Sequence, residues 1–194
     1  MSDAELPAAR SEPLRIPRTI VLVGLMGAGK SAIGRRLAGR LGLPFVDADR
    51  EIELAAGCTI DEIFERFGEP AFRDGERRVI LRLLGEPVHV LATGGGAFID
   101  PEIRAAVKAR GLSVWLKADI ELLVRRVSRR TDRPLLKREE PRAVLERLMA
   151  VRHPVYAEAD ITVESADGPP EAMVERVFEA VSTWLDSHAE RVTA

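Results

Sequence analysis

Gly24, Gly29, Lys30 and Ser31 stand at the spacing G-x-x-x-x-G-K-S within "VGLMGAGKSAIG", residues 23–34. A chain leaving a strand must turn sharply at such a point, and glycine permits positive φ and close backbone approach. The N–H groups of the turn then converge on an anion at the start of the next helix. A lysine beside them can reach the outer phosphates of a nucleotide, and a serine hydroxyl can ligate Mg2+. Gly27, Ala28, Gly29, Lys30, Ser31 and Ala32 are therefore the candidate phosphate-binding residues. The competing reading is a glycine-softened turn with no ligand. The apolar run before the loop and the helical pattern after it favour the phosphate.

A phosphate loop does not say where the terminal phosphate goes. Reading guanine through an Asn-Lys-x-Asp motif is impossible, because the chain contains no asparagine; adenine is favoured. Downstream stretches offer an acceptor site. "VDAD" puts Asp47 and Asp49 two residues apart at the end of a short apolar run. If the strand continued they would point the same way, one serving Mg2+ through water and the other a substrate hydroxyl. Alternatively, Asp49 is simply the N-cap of the helix that follows. "AFRDGE" spaces Arg73 and Glu76 at i, i+3. Glu76 can orient Arg73 to grip a carboxylate in bidentate fashion, although such pairs are usually solvated helix faces. "TGGGA", residues 93–97, is either a close approach of backbone to ligand or a flexible turn. In "RRTDRPLL" an arginine can close over transferring phosphate, unless the stretch is an ordinary exposed loop. "VRHPVY" offers Arg152 as a second carboxylate ligand, with His153 read as structural.

The elements that must hold these residues alternate. Strands are predicted at 19–24, 44–47, 88–93, 113–116 and 160–163. Helices are predicted at 30–41, 49–56, from a Thr59–Glu62 capping box through 67, at 70–84, after an Asp100 N-cap, and at 119–128, 141–151 and 170–185. The alternation argues for one α/β domain with a mostly parallel sheet over 19–186. Residues 1–18 and 187–194 read as tails. Segments at about 47–84 and 128–140 are additions to the strand–helix repeat, placed where ligands bind in such folds.

With 194 residues, 46% of them hydrophobic, the chain can build one sizeable core. Its net charge of −2 disfavours a general nucleic-acid binder. Cys58 is the sole cysteine, which excludes an intramolecular disulfide and fits a cytoplasmic protein. No apolar run is long enough for a membrane span. Asparagine and glutamine are both absent. Genome bias, heat adaptation and engineering each account for that, and sequence does not choose among them.

Taken in order and spacing, "GLMGAGKSAIG", "FVDAD", "AFRDGE", "TGGGA", "DRPLL" and "RHPVY" resemble shikimate kinase over about residues 19–185. The resemblance implies a three-layer P-loop, nucleoside-monophosphate-kinase-like fold. Its five-stranded parallel sheet would run 2-3-1-4-5, with a mobile lid. It implies transfer of the ATP γ-phosphate to the 3-hydroxyl of shikimate, on the route to chorismate and the aromatic amino acids. By the same resemblance Lys30 and Ser31 serve the phosphates and Mg2+, and Asp47 holds Mg2+ through water. Asp49 binds shikimate hydroxyls and takes the proton. Arg73 and Arg152 hold the carboxylate, and Gly94, Gly95 and Gly96 line the substrate pocket. Arg126 stacks on adenine, Arg133 sits on the lid, and Pro169 flanks the base. Ala32 departs from a frequent threonine, and Asp167–Gly168 fall in a variable adenine loop. The nearest rival is a kinase of the same fold acting on another hydroxy acid, such as gluconate; a non-catalytic nucleotide switch is a rival of another class. We expect a monomer that uses ATP and Mg2+ and binds neither nucleic acid nor membrane.

Overall fold

The computed structural model describes residues 16–128 and 140–188. Five strands, β1 (Thr19–Val23), β2 (Phe45–Asp47), β3 (Val90–Ala92), β4 (Gly111–Ala118) and β5 (Ile161–Ser165), form one sheet. Its order is β2-β3-β1-β4-β5 and every pair is parallel, as expected. β1 is central, with all five residues buried. A strand covered on both faces must be apolar throughout, which is why "TIVLV" does not alternate. Val21 pairs with Leu91 of β3 on one side and Ser113 of β4 on the other. Beyond the carboxyl end of β1 the connections diverge to opposite halves of the sheet, which opens a crevice there.

The helices are α1 (Lys30–Leu41), α2 (Ala48–Ala56), α3 (Ile60–Leu83), α4 (Pro101–Arg110), α5 (Ile120–Ser128), α6 (Pro141–Tyr156) and α7 (Pro170–Ser187). A 3-10 turn covers Ala97–Ile99. The Thr59–Glu62 capping box forms as predicted. So does the Asp100 cap, whose carboxylate accepts the N–H groups of Glu102 and Ile103. The two helices predicted on either side of residue 68 are both present, joined end to end in α3 across a kink where Gly68 adopts φ 79° and ψ 174°.

Three local expectations are corrected. Helix α2 begins at Ala48, and its N-cap is Asp47, whose carboxylate accepts the Asp49 N–H at 3.2 Å; Asp49 lies inside the first turn. The strand also stops at Asp47, so strand alternation does not place Asp49. Helix α6 continues past Val151 and through Pro154 to Tyr156, and this extension carries Tyr156 into the site described below. At the margins, Ile16 packs against the core. His188 stacks on Trp184 with ring centroids 4.2 Å apart. Among the described residues no helix is long and apolar enough to cross a membrane.

Candidate active site

The phosphate loop leaves β1 at Gly24, where φ is 139° and a Cβ would lie 2.8 Å from the Leu116 carbonyl oxygen of β4. Only glycine fits both demands. At the other end Gly29, at φ 97°, is the left-handed N-cap of α1. Lys30 is buried at the start of that helix. Its Nζ donates to the carbonyls of Gly24 at 2.7 Å and Leu25 at 3.0 Å. The loop is thus wrapped around its own ammonium, with the N–H groups of the α1 first turn at its mouth.

The loop floors a cleft of about 670 Å³ that runs in two directions. Toward β5 it reaches Arg126, Gly168 and Pro170. Arg126 spans this end: Nη1 donates to Gly27 O and Ala28 O, both at 3.4 Å, and to Ser165 Oγ at 3.3 Å. Its Nη2 donates to Ala166 O at 3.3 Å. Pro169 is the exposed residue before α7 and does not line the cleft; its two neighbours do.

Toward β3 the cleft meets Asp49, Arg73, Glu76, Gly94–Gly96 and Arg152. Arg73 is held from two sides. Nη1 donates to Glu76 Oε2 at 2.7 Å, and Nε and Nη2 donate to Glu69 Oε1 at 3.2 and 3.0 Å. Burial works against its positive charge, but Glu76 and then Glu69 outweigh that and raise its pKa. Glu76 is 1% exposed. Burial pushes its carboxyl above the ordinary value; Arg73 pulls the other way, and the Asp49 charge adds to the rise. The solvated-face reading of this pair is therefore excluded.

The three glycines after β3 are not there for unusual torsions, since none of them has positive φ. They make room. A Cβ on Gly94 would sit 2.9 Å from both Asp49 Oδ1 and Glu76 Oε1, and one on Gly96 would enter the Arg73 guanidinium. Gly95 faces Arg152 on one side and the Met26 N–H of the phosphate loop on the other. Its carbonyl accepts from Arg152 Nη1 at 3.0 Å and from the Tyr156 hydroxyl. Tyr156 is buried, and its hydroxyl pKa is pushed up to about 12, so it stays a donor. Sequence reasoning missed Tyr156; its place one helical turn after Arg152 was the available signal. His153 lies edge-on to Trp115, centroids 5.0 Å apart, and burial lowers its pKa, as suits a structural residue.

Asp47 caps α2 and is not part of the cleft lining. Arg133 lies outside the described residues. Among the described residues no cluster of three or more His, Cys, Asp or Glu could cage a metal. An ion such as Mg2+ needs none, because it keeps waters and takes phosphate oxygens with one or two protein oxygens. The Ser31 hydroxyl on the cleft wall is an oxygen donor of that kind, whereas the Asp47 carboxylate caps α2 outside the lining.

The family described as shikimate kinase matches residues 26–182. The shikimate kinase of Paramagnetospirillum magneticum is 62% identical over 181 residues, covering 92% of this chain and 93% of that one. That of Caulobacter vibrioides is 61% identical over 169 residues, 87% of this chain and 84% of its own. Among solved structures, a shikimate kinase from Acinetobacter baumannii in complex with shikimate superposes with a TM-score of 0.82. Its identity is 41%, over 86% of this chain and 93% of that one. A phosphate loop, paired arginines and a triple-glycine turn in one cleft, together with likeness along nearly the whole chain, lead to one conclusion: the chain belongs to the shikimate kinase family of ATP-dependent phosphotransferases.

Proposed function

We propose that this cleft transfers the γ-phosphate of ATP to the 3-hydroxyl of shikimate, giving shikimate 3-phosphate and ADP. The observation that carries the reading is the meeting of a phosphate loop with two arginines and Asp49 around one glycine turn. Arg73 and Arg152 bind the carboxylate, and Asp49 with Gly94–Gly96 binds the hydroxyl end. Fixing both ends of a small rigid acid sets one hydroxyl in line with the phosphate, which is most of what phosphoryl transfer requires. The hydroxyl oxygen bonds to the γ-phosphorus, the bond to the β-phosphate oxygen breaks, and Asp49 accepts the proton. Lys30 and the loop N–H groups neutralise charge on the phosphates. Ser31 and, through water, Asp47 would hold Mg2+, which when bound supplies further neutralising charge. Arg126 covers the base, between the loop and the Ser165–Gly168 segment. We place the enzyme in the cytoplasm as a monomer, in keeping with its single free cysteine.

The test is a comparison of ADP release from Mg·ATP with shikimate, with gluconate and with no acceptor. Shikimate is expected to stimulate release far above the other two. Equal rates with shikimate and with no acceptor defeat the proposal, and preferential stimulation by gluconate transfers the site to the rival substrate.

A further inference from the structure

We propose that Glu76 takes up a proton when the substrate carboxylate docks on Arg73, so that acceptor binding is linked to pH. The inference rests on the reading of Arg73 as a carboxylate ligand.

The geometry makes Glu76 the group with least support for its charge. Its side chain is 2% exposed. Oε2 accepts from Arg73, whereas Oε1 is buried with no hydrogen-bond partner among the described residues. That oxygen faces the same small space as Asp49 Oδ1, the space left by the missing side chain of Gly94. The groups around Glu76 are Arg73 on its own helix, Asp49 on α2, and Arg152 and Tyr156 on α6. An arriving carboxylate sets a further negative charge on Arg73, beside Glu76, and closes the space around it to solvent. It also competes for Arg73, the only hydrogen-bond donor to Glu76 among the described residues.

Buried anions in excess of their cations are relieved by protonation, and the group with an unpartnered oxygen yields first. Burial already holds Glu76 above the ordinary carboxylate value. Once protonated, Oε1 gains an O–H to donate into the space it shares with Asp49, and the buried acceptor becomes a buried donor with an acceptor opposite. The uptake has a direction in pH. At a pH below the free-state value Glu76 is already protonated and binding is unaffected. Above it, binding must draw a proton from solvent, and affinity falls by up to about tenfold per pH unit until the bound-state value is passed.

The experiment is titration calorimetry of the whole chain with shikimate at one pH, in buffers of different ionisation enthalpy, repeated from about pH 6 to about pH 8. The wild type is expected to take up a fraction of a proton that approaches one, and to bind more weakly as pH rises. Glu76→Gln, a neutral isostere, is expected to bind without proton uptake and with an affinity that no longer falls with pH. Buffer-independent heats in the wild type overturn the proposal. So does proton uptake that persists in Glu76→Gln. No binding of shikimate by the wild type at all would instead remove the functional reading beneath it.

Discussion

A Cβ added to Gly96 would lie 2.4 Å from Nη1 of Arg73 and 2.8 Å from its Cζ. Moving an exposed arginine aside would cost little, but this one is anchored by Glu76 and Glu69. Gly96→Ala must therefore break those bonds to fit. The apparent KM for shikimate should rise about tenfold or more, with the KM for ATP little changed. Arg73→Lys should act in the same direction, because a point charge cannot replace the planar fork. Steady-state kinetics with each substrate varied in turn checks both. An unchanged shikimate KM in either variant would remove Arg73 from the acceptor site.

Asp49→Ala should separate donor from acceptor functions. Loss of a proton acceptor and hydroxyl ligand should lower kcat by about a hundredfold or more. Nucleotide binding, measured by calorimetry or a fluorescent analogue, should persist. Lost ATP binding would show that the division of the cleft is drawn in the wrong place.

Asp47 has a structural duty as the cap of α2 and a proposed one toward Mg2+. Asparagine caps as well as aspartate but carries no charge. Asp47→Asn should keep the melting temperature and raise the Mg2+ concentration needed for half-maximal rate severalfold. Asp47→Ala should do both that and cost about 1 kcal/mol of stability. An ordinary Mg2+ titration in the asparagine variant would leave Asp47 as a cap alone.

Asp100 joins α4 to α3 through Arg77 Nη2, at 2.7 Å, while it caps α4. Burial pushes its carboxyl up, but Arg77 and the N–H groups of Ile103 and Glu102 outweigh that and hold it below the ordinary value. A carboxyl depressed by folding contributes stability above its unfolded pKa and loses it as pH falls through its folded one. Asp100→Asn keeps the cap and loses the ion pair, so it should cost about 1 kcal/mol near neutral pH. That difference should shrink on acidification below about pH 4. Urea melts of both proteins across the acid range check this; a difference that does not vary with pH would mean packing rather than charge.

Much of this site was legible because its chemistry is local in sequence. The phosphate loop fits in one octapeptide, and its flanking strand and helix follow from the run of apolar residues and the helical period. The resemblance supplied the sheet order, which no local pattern encodes. What escaped was tertiary. Arg73 and Glu76 look like any helical pair until α2 and the glycine turn bury Glu76 and half-bury Arg73. The register of "VDAD" turned on whether the strand ended at Asp47 or ran on, and the capping duty falls two residues earlier than expected, on Asp47 rather than Asp49. The helix predicted to end at Val151 runs on through Pro154. A proline gives up only one N–H and strains one earlier carbonyl, which the last turn of α6 tolerates.

The crowding around Gly94, Gly95 and Gly96 has a consequence for inhibitor design. Two of these positions are closed to a side chain, Gly94 by two carboxylates and Gly96 by an arginine, while Gly95 meets Arg152 and the phosphate loop at ordinary contact distance. A compound that rests on this turn would press against residues whose smallest possible change already disturbs acceptor binding. Escape by substitution at the point of contact would then be self-defeating, and resistance would have to arise elsewhere in the cleft.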